Sequence, residues 1–205
     1  MAEEPTERRD ESPGGQGTLG GFDARPPSDR LFFAVHPDPQ TARRMVALAE
    51  ALRTKHGLRG KPVTAERLHV TLHHLGDHGG LPESLIAAAG DAAARITTPP
   101  FEAGFDRVAS FARGARSRPC VLRSGTAGAN PELLALQAGL AAHLRDAGLG
   151  RYVERHFTPH VTLLYADSEV AEAVPPIGWT VRGFALVHSL LGRGRHRILQ
   201  SWPLT

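Results

Sequence analysis

The chain has one cysteine, two methionines, two tryptophans and two tyrosines among 205 residues, and no long unbroken apolar run. Each shortage closes off a class of protein. A single thiol, Cys120, cannot form an internal disulfide, and without a partner thiol it cannot anchor a cysteine-based zinc site. Its setting, Pro119-Cys120-Val121-Leu122-Arg123, reads as a strand with the thiol buried. No stretch nears the roughly 20 apolar residues of a membrane span. The N-terminus also lacks a basic start followed by an apolar segment. The expectation is a soluble cytoplasmic protein with no membrane partner.

What is present is enough for a core, since 41% of the residues are hydrophobic. They are unevenly placed. The first thirty residues are rich in Glu, Pro, Gly, Ser and Arg, and so poor in apolar side chains that burial cannot offset the entropy of ordering. Residues 1–29 are therefore expected to be a disordered tail, with the folded body over 30–205. Those thirty residues carry seven acids and four arginines, so a chain of net charge +3 has a body of +6. A basic body of this size suits an anionic ligand such as a nucleotide or an RNA end, although a solvated arginine-rich surface has the same signature.

The most informative feature is a repeat. His69-Val70-Thr71-Leu72 and His160-Val161-Thr162-Leu163 are the same tetrapeptide, each inside a run that alternates polar and apolar. Roughly 0.7 His-x-Thr triplets arise by chance at this composition, so one copy means nothing. Two copies sharing the same apolar residues are improbable on the order of one in 10⁵. In a strand the His and Thr of each copy share one face, and Val and Leu turn to the other.

Two imidazoles and two hydroxyls suit phosphodiester chemistry. Hydrolysis needs a base for the attacking water and an acid for the departing oxygen, and imidazole serves either role near neutral pH. Threonine hydroxyls can donate to nonbridging phosphoryl oxygens. A strained cyclic phosphate needs least help, so neither metal nor other cofactor is expected. His73 lies two residues past Thr71 and hence is expected on the same face as His69. With His74 and His78 it makes a histidine-dense segment, but metal sites recruit three or four supported ligands, and a substrate-facing His73 is the preferred reading.

Periodicity predicts strands over 31–35, 68–75, 101–111, 118–123, 157–165, 180–191 and 197–202, and helices over 41–55, 82–95 and from 130 onward. Pro99-Pro100 places a lobe boundary near 98–101. Each half reads strand, helix, motif strand. The chain thus looks duplicated, and a pseudo-twofold arrangement would bring the two histidines together across a cleft.

The chain resembles the two-histidine phosphoesterases, in particular the bacterial RNA 2′,3′-cyclic phosphodiesterases, also called 2′-5′ RNA ligases. The resemblance covers about residues 30–205. It rests on Arg30-Leu31-Phe32-Phe33-Ala34-Val35, on Leu68 to Gly76, on Phe157 to Leu163, and on Leu186-Val187-His188-Ser189 with the closing Ser201-Trp202-Pro203-Leu204. It implies an α+β bilobal fold in which two antiparallel sheets form a central cleft with helices packed outside. It also implies His69 and His160 as the catalytic pair, with His69 as acid and His160 as base, and Thr71 and Thr162 as phosphate-binding residues. The implied reaction opens an RNA terminal 2′,3′-cyclic phosphate to a 2′-phosphomonoester, with 2′-5′ ligation as its reverse. His74 stands where Phe is common in that family, and Tyr165 where Arg is common. Tyr165 is therefore a candidate substrate contact, as are Arg193 and Arg195 in the Gly192–Arg197 turn. The expected partners are RNA ends or nucleotide cyclic phosphates, and a monomer is expected. Alternatives are a phosphodiesterase for 2′-5′ linked oligonucleotides or ADP-ribose cyclic phosphate, and a noncatalytic RNA- or nucleotide-binding module.

Overall fold

Leu31, Phe33 and Val35 are completely buried, as the apolar run predicts, and anchor strand β1 (Asp29–Val35). A computed structural model describes residues 26–111, 117–126, 128–154 and 156–205. Residues 1–25 of the expected tail lie outside the described residues. Its inner end is corrected: the Ser28 amide donates to the His78 carbonyl at 2.9 Å, and Asp29 already belongs to β1.

Helix α1 (Pro39–His56) starts ahead of the expected residue 41 because Asp38 caps it. The Asp38 carboxylate accepts from the Gln40 and Thr41 amides at 2.9 and 3.0 Å, and Pro39 fits the first turn. Gly57, at φ 63°, ends the helix in the left-handed conformation. Strand β2 (Val70–His78) begins within the first motif, directly after His69, and is followed by α2 (Glu83–Ala93). Strands β3 (Phe101–Ser110) and β4 (Arg118–Arg123) lead to α3 (Pro131–Asp146), which buries Leu133, Leu136, Leu140 and Leu144 along one face. Strand β5 (His160–Ala166) carries the second motif. It is followed by β6 (Ala171–Val181), β7 (Gly183–Leu190) and β8 (Arg195–Pro203).

Among the described residues these strands form two antiparallel four-stranded sheets, in the orders β2-β1-β7-β8 and β5-β4-β3-β6. The expected α+β bilobal architecture is present, and the two sheet orders match position by position. Each motif strand lies at an edge, beside the strand that precedes it through a helix: β1-α1-β2 in one lobe, β4-α3-β5 in the other. The chain crosses between sheets over 94–100, where the double proline suggests a boundary, and crosses back at Arg182, so β7 and β8 complete the first sheet.

The expected strand over 180–191 is two strands, β6 and β7. Strand β6 extends N-terminally beyond the expected residue 180 and contains Pro175-Pro176. It is an edge strand, so missing amide donors there leave no ladder unpaired. Its pairing also skips at that point, residues 174–176 spanning the step that β3 makes with Asp106 alone.

One apolar core runs behind both sheets and includes α1, α2 and α3. The lobes are also tied directly. The Val63 amide donates to the Leu163 carbonyl at 2.7 Å, Pro62 bridges Leu164, and Gly60 lies so close to β5 that a Cβ there would meet the Tyr165 carbonyl at 1.7 Å. Lys55 pairs with Glu172 at 2.5 Å, joining α1 to β6.

Candidate active site

On the opposite face of the first sheet from the core lies a small apolar floor of Phe32, Ala34, Ala185 and Val187. His69 stacks on Phe32 with ring centroids 4.8 Å apart. Its Nδ1 is 2.6 Å from the Arg67 carbonyl. A carbonyl can only accept, so Nδ1 carries the proton and Nε2 is the basic nitrogen. The second motif repeats the device: His160 Nδ1 lies 2.7 Å from the Thr158 carbonyl, again two residues upstream. Phe111 packs edge-on against His160 at 4.9 Å.

A cavity of about 210 Å³ is walled by Arg30, Arg67, His69, Thr71, His74, Thr162, Tyr165, Ser189 and His196, among others. An adjoining cavity of about 280 Å³ holds His160, Phe111 and Thr158, and Thr71 borders both. Three of the four motif side chains thus share one cavity, the fourth lies next door, and the charge of His160 is felt at His69. Burial is the main force on His69 and pushes its pKa down to about 3, against the smaller upward pull of the Arg67 carbonyl. The pocket by itself therefore holds it neutral. A larger cavity of about 660 Å³ is walled in part by His36, Arg182, Ile198 and Trp202, and neither motif histidine lines it.

His73 is not substrate-facing. A bulge places Leu72 and His73 together against the core, because Ala34 pairs with Thr71 while Phe33 pairs with His73. His73 is completely buried, with Nε2 3.0 Å from the Gln137 carbonyl of α3 and the Glu154 amide donating to Nδ1 at 3.4 Å. The slip hands its place to His74, which lines the cavity. Tyr165 does stand at the rim, 54% exposed. Arg193 and Arg195 are exposed on the β7–β8 turn and do not line the cavity.

Sequence reasoning missed Arg67 and His196. His196 lies inside the turn segment singled out for its arginines, and Ser189 pairs with it across the hairpin. Its ring stands 5.4 Å from His69, and its pKa is lowered to about 4, by burial first and then by the Arg67 charge. Among the described residues no group of three or more His, Cys, Asp or Glu could hold a metal ion. Cys120 is buried in β4, as expected. No helix among the described residues is long and apolar enough to cross a membrane.

Two sheets, two motif strands and imidazoles held alike by backbone carbonyls define a bilobal two-histidine protein. The family model of the 2′-5′ RNA ligase superfamily matches residues 37–193, and the chain belongs to that superfamily. The RNA 2′,3′-cyclic phosphodiesterase of Escherichia coli (strain K12) is 32% identical over 182 residues, covering 86% of this chain and 97% of the relative. The protein of the same name from Thermus thermophilus is 34% identical over 175 residues, covering 79% and 82%. Among solved structures, E. coli LigT in its apo form gives a TM-score of 0.66 at 31% identity, covering 88% of this chain and 99% of that one. LigT complexed with 3′-AMP gives 0.63 at 29% identity, with the same coverage.

Proposed function

We propose that the protein opens a 2′,3′-cyclic phosphate at an RNA or nucleotide end to a 2′-phosphomonoester, with His160 as base and His69 as acid. The observation that carries this reading is the matched pair of imidazoles, each with its Nδ1–H donated to the carbonyl two residues upstream, beside Thr71 and Thr162. His160 removes a proton from water as the water oxygen attacks phosphorus. The P–O3′ bond breaks and the 3′-oxygen takes the proton carried by His69. The threonine hydroxyls donate to the nonbridging oxygens, where charge accumulates.

The neutral state of His69 in the protein alone is compatible with its role as acid only if substrate restores its proton. A phosphodiester charge about 4 Å away, at an effective dielectric of about 20, is worth about 4 kcal/mol, or about 3 pKa units. That pulls the His69 pKa upward from about 3. The substrate thereby protonates its own acid, and kcat follows a bell-shaped pH profile.

The test is hydrolysis of an oligoribonucleotide ending in a 2′,3′-cyclic phosphate, in EDTA, by the wild type and by His69→Ala and His160→Ala. Each variant is expected to lose about 10²- to 10⁴-fold in turnover, and the product is expected to carry a 2′-phosphate. Binding without turnover in the wild type would instead identify a noncatalytic module. A chelator-sensitive rate would overturn the metal-free mechanism.

A further inference from the structure

The charge of the pocket wall is not explained by the two motifs. The scissile group is an anion throughout the reaction, whereas the motifs offer it neutral hydroxyls and a His69 that is neutral until the substrate arrives. Two arginines line the cavity, Arg30 and Arg67, and no carboxylate does. Arg30 is already committed: its Nε and Nη2 donate to the two carboxylate oxygens of Asp77 at 2.7 Å each. Arg67 pairs with no acid among the described residues, and its Nε is buried without a hydrogen-bond partner. A buried donor on a cation is costly to leave unmatched. A guanidinium in that state, facing a cavity with no acid in its wall, is a site for an incoming oxyanion.

Its position is also constrained on both sides. Arg67 ends a short 3-10 turn, Ala65–Arg67, directly before the motif strand, and its own carbonyl orients His69. On the other side the β7–β8 turn closes on the guanidinium, since a Cβ on Gly194, which adopts φ 61°, would lie 3.6 Å from Arg67 Nη1. His196 next to it is held neutral in part by the Arg67 charge. One residue therefore positions the imidazole through its backbone and presents a cation through its side chain.

We propose that the Arg67 guanidinium binds a nonbridging oxygen of the scissile phosphate and is the principal cationic contact of this active site. The proposal rests on the phosphodiesterase reading for its substrate, but the anion site it describes can be measured without turnover.

The experiment uses the full chain with Arg67→Met, which keeps the apolar stem and the carbonyl that holds His69. Calorimetric titration with inorganic phosphate is expected to show Kd raised roughly 10- to 100-fold, with much weaker dependence on ionic strength. On the cyclic-phosphate oligonucleotide kcat/KM is expected to fall by at least as much. The imidazole resonances of His196 should titrate at higher pH once the neighbouring charge is gone. Phosphate binding unchanged in a variant with a native melting curve would overturn the proposal, as would a larger loss in Arg30→Met than in Arg67→Met. If Arg67→Met does not fold, Arg67→Lys decides. It retains charge but not the planar fork, so roughly 3- to 10-fold weaker phosphate binding supports the assignment and wild-type affinity overturns it. A wild type that binds phosphate through Arg67 yet hydrolyses no cyclic phosphate sinks the phosphodiesterase reading alone.

Discussion

Burial of His69 makes the protein lose stability in mild acid, by an amount that follows from its pKa. The folded value is about 3, whereas an exposed histidine titrates near 6.5. Above pH 6.5 both states are neutral and His69 contributes nothing. As pH falls below 6.5 the unfolded chain takes up a proton that folded His69 refuses until about pH 3, so folding is penalised throughout that window. The penalty is on the order of 1 kcal/mol at pH 5.5 and about 3 kcal/mol at pH 4.5. For a chain of this size that lowers Tm by roughly 3–6 °C at pH 5.5. The assay is thermal unfolding of the wild type and of His69→Gln between pH 7.5 and 4.5. Glutamine can still donate to the Arg67 carbonyl but cannot titrate. The stability of the variant relative to the wild type should rise by about 1.4 kcal/mol per pH unit below 6.5. Saturating phosphate should flatten the wild-type curve, because an anion in the pocket raises the folded pKa. Parallel curves for the two proteins without phosphate would refute the claim that burial holds His69 neutral.

Three further outcomes follow from neighbouring features. His73→Leu is expected to cost about 1–3 kcal/mol in chemical denaturation, by orphaning its buried partners, while kcat/KM stays within about threefold; a selective loss of activity would return His73 to the substrate side. Gly60→Ala drives a methyl group into the Tyr165 carbonyl, so it should destabilise by about 1–3 kcal/mol or more and lower turnover through displacement of β5, read by urea titration alongside the activity assay. Cys120, buried with its thiol pushed up to about 11 by burial, should resist a thiol-specific reagent at pH 8 in the native protein and react at once in denaturant.

The elements that carry the function were legible because they are local. The two motif strands, the Asn130-Pro131 helix start and the leucine stripe of α3 follow from short-range pattern alone. The strand–helix–motif strand duplication was legible too, and the matched sheet orders agree with it. What escaped was decided by partners distant in sequence. The slip that turns His73 inward and His74 outward comes from pairing with β1, and nothing within β2 signals it. The full length of β6, with its double proline, depends on its place at a sheet edge, which only pairing with β3 sets. Arg67 and His196 share a pocket wall only because the chain returns to its first sheet after Arg182, and a residue pair 129 positions apart leaves no periodic trace.

That return crossing also sets the order in which the molecule can assemble as it is synthesised. Strands β3 to β6 are contiguous, spanning 101–181, and can close their sheet as soon as they emerge. The earlier-made β1 must wait, with one edge unpaired, until residues 183–203 arrive. Ser189 and His196, the last pieces of the pocket wall, come with them. All four strands of the second sheet thus precede in sequence the hairpin that completes the first, and the pocket wall around His69 depends on residues as far along as His196.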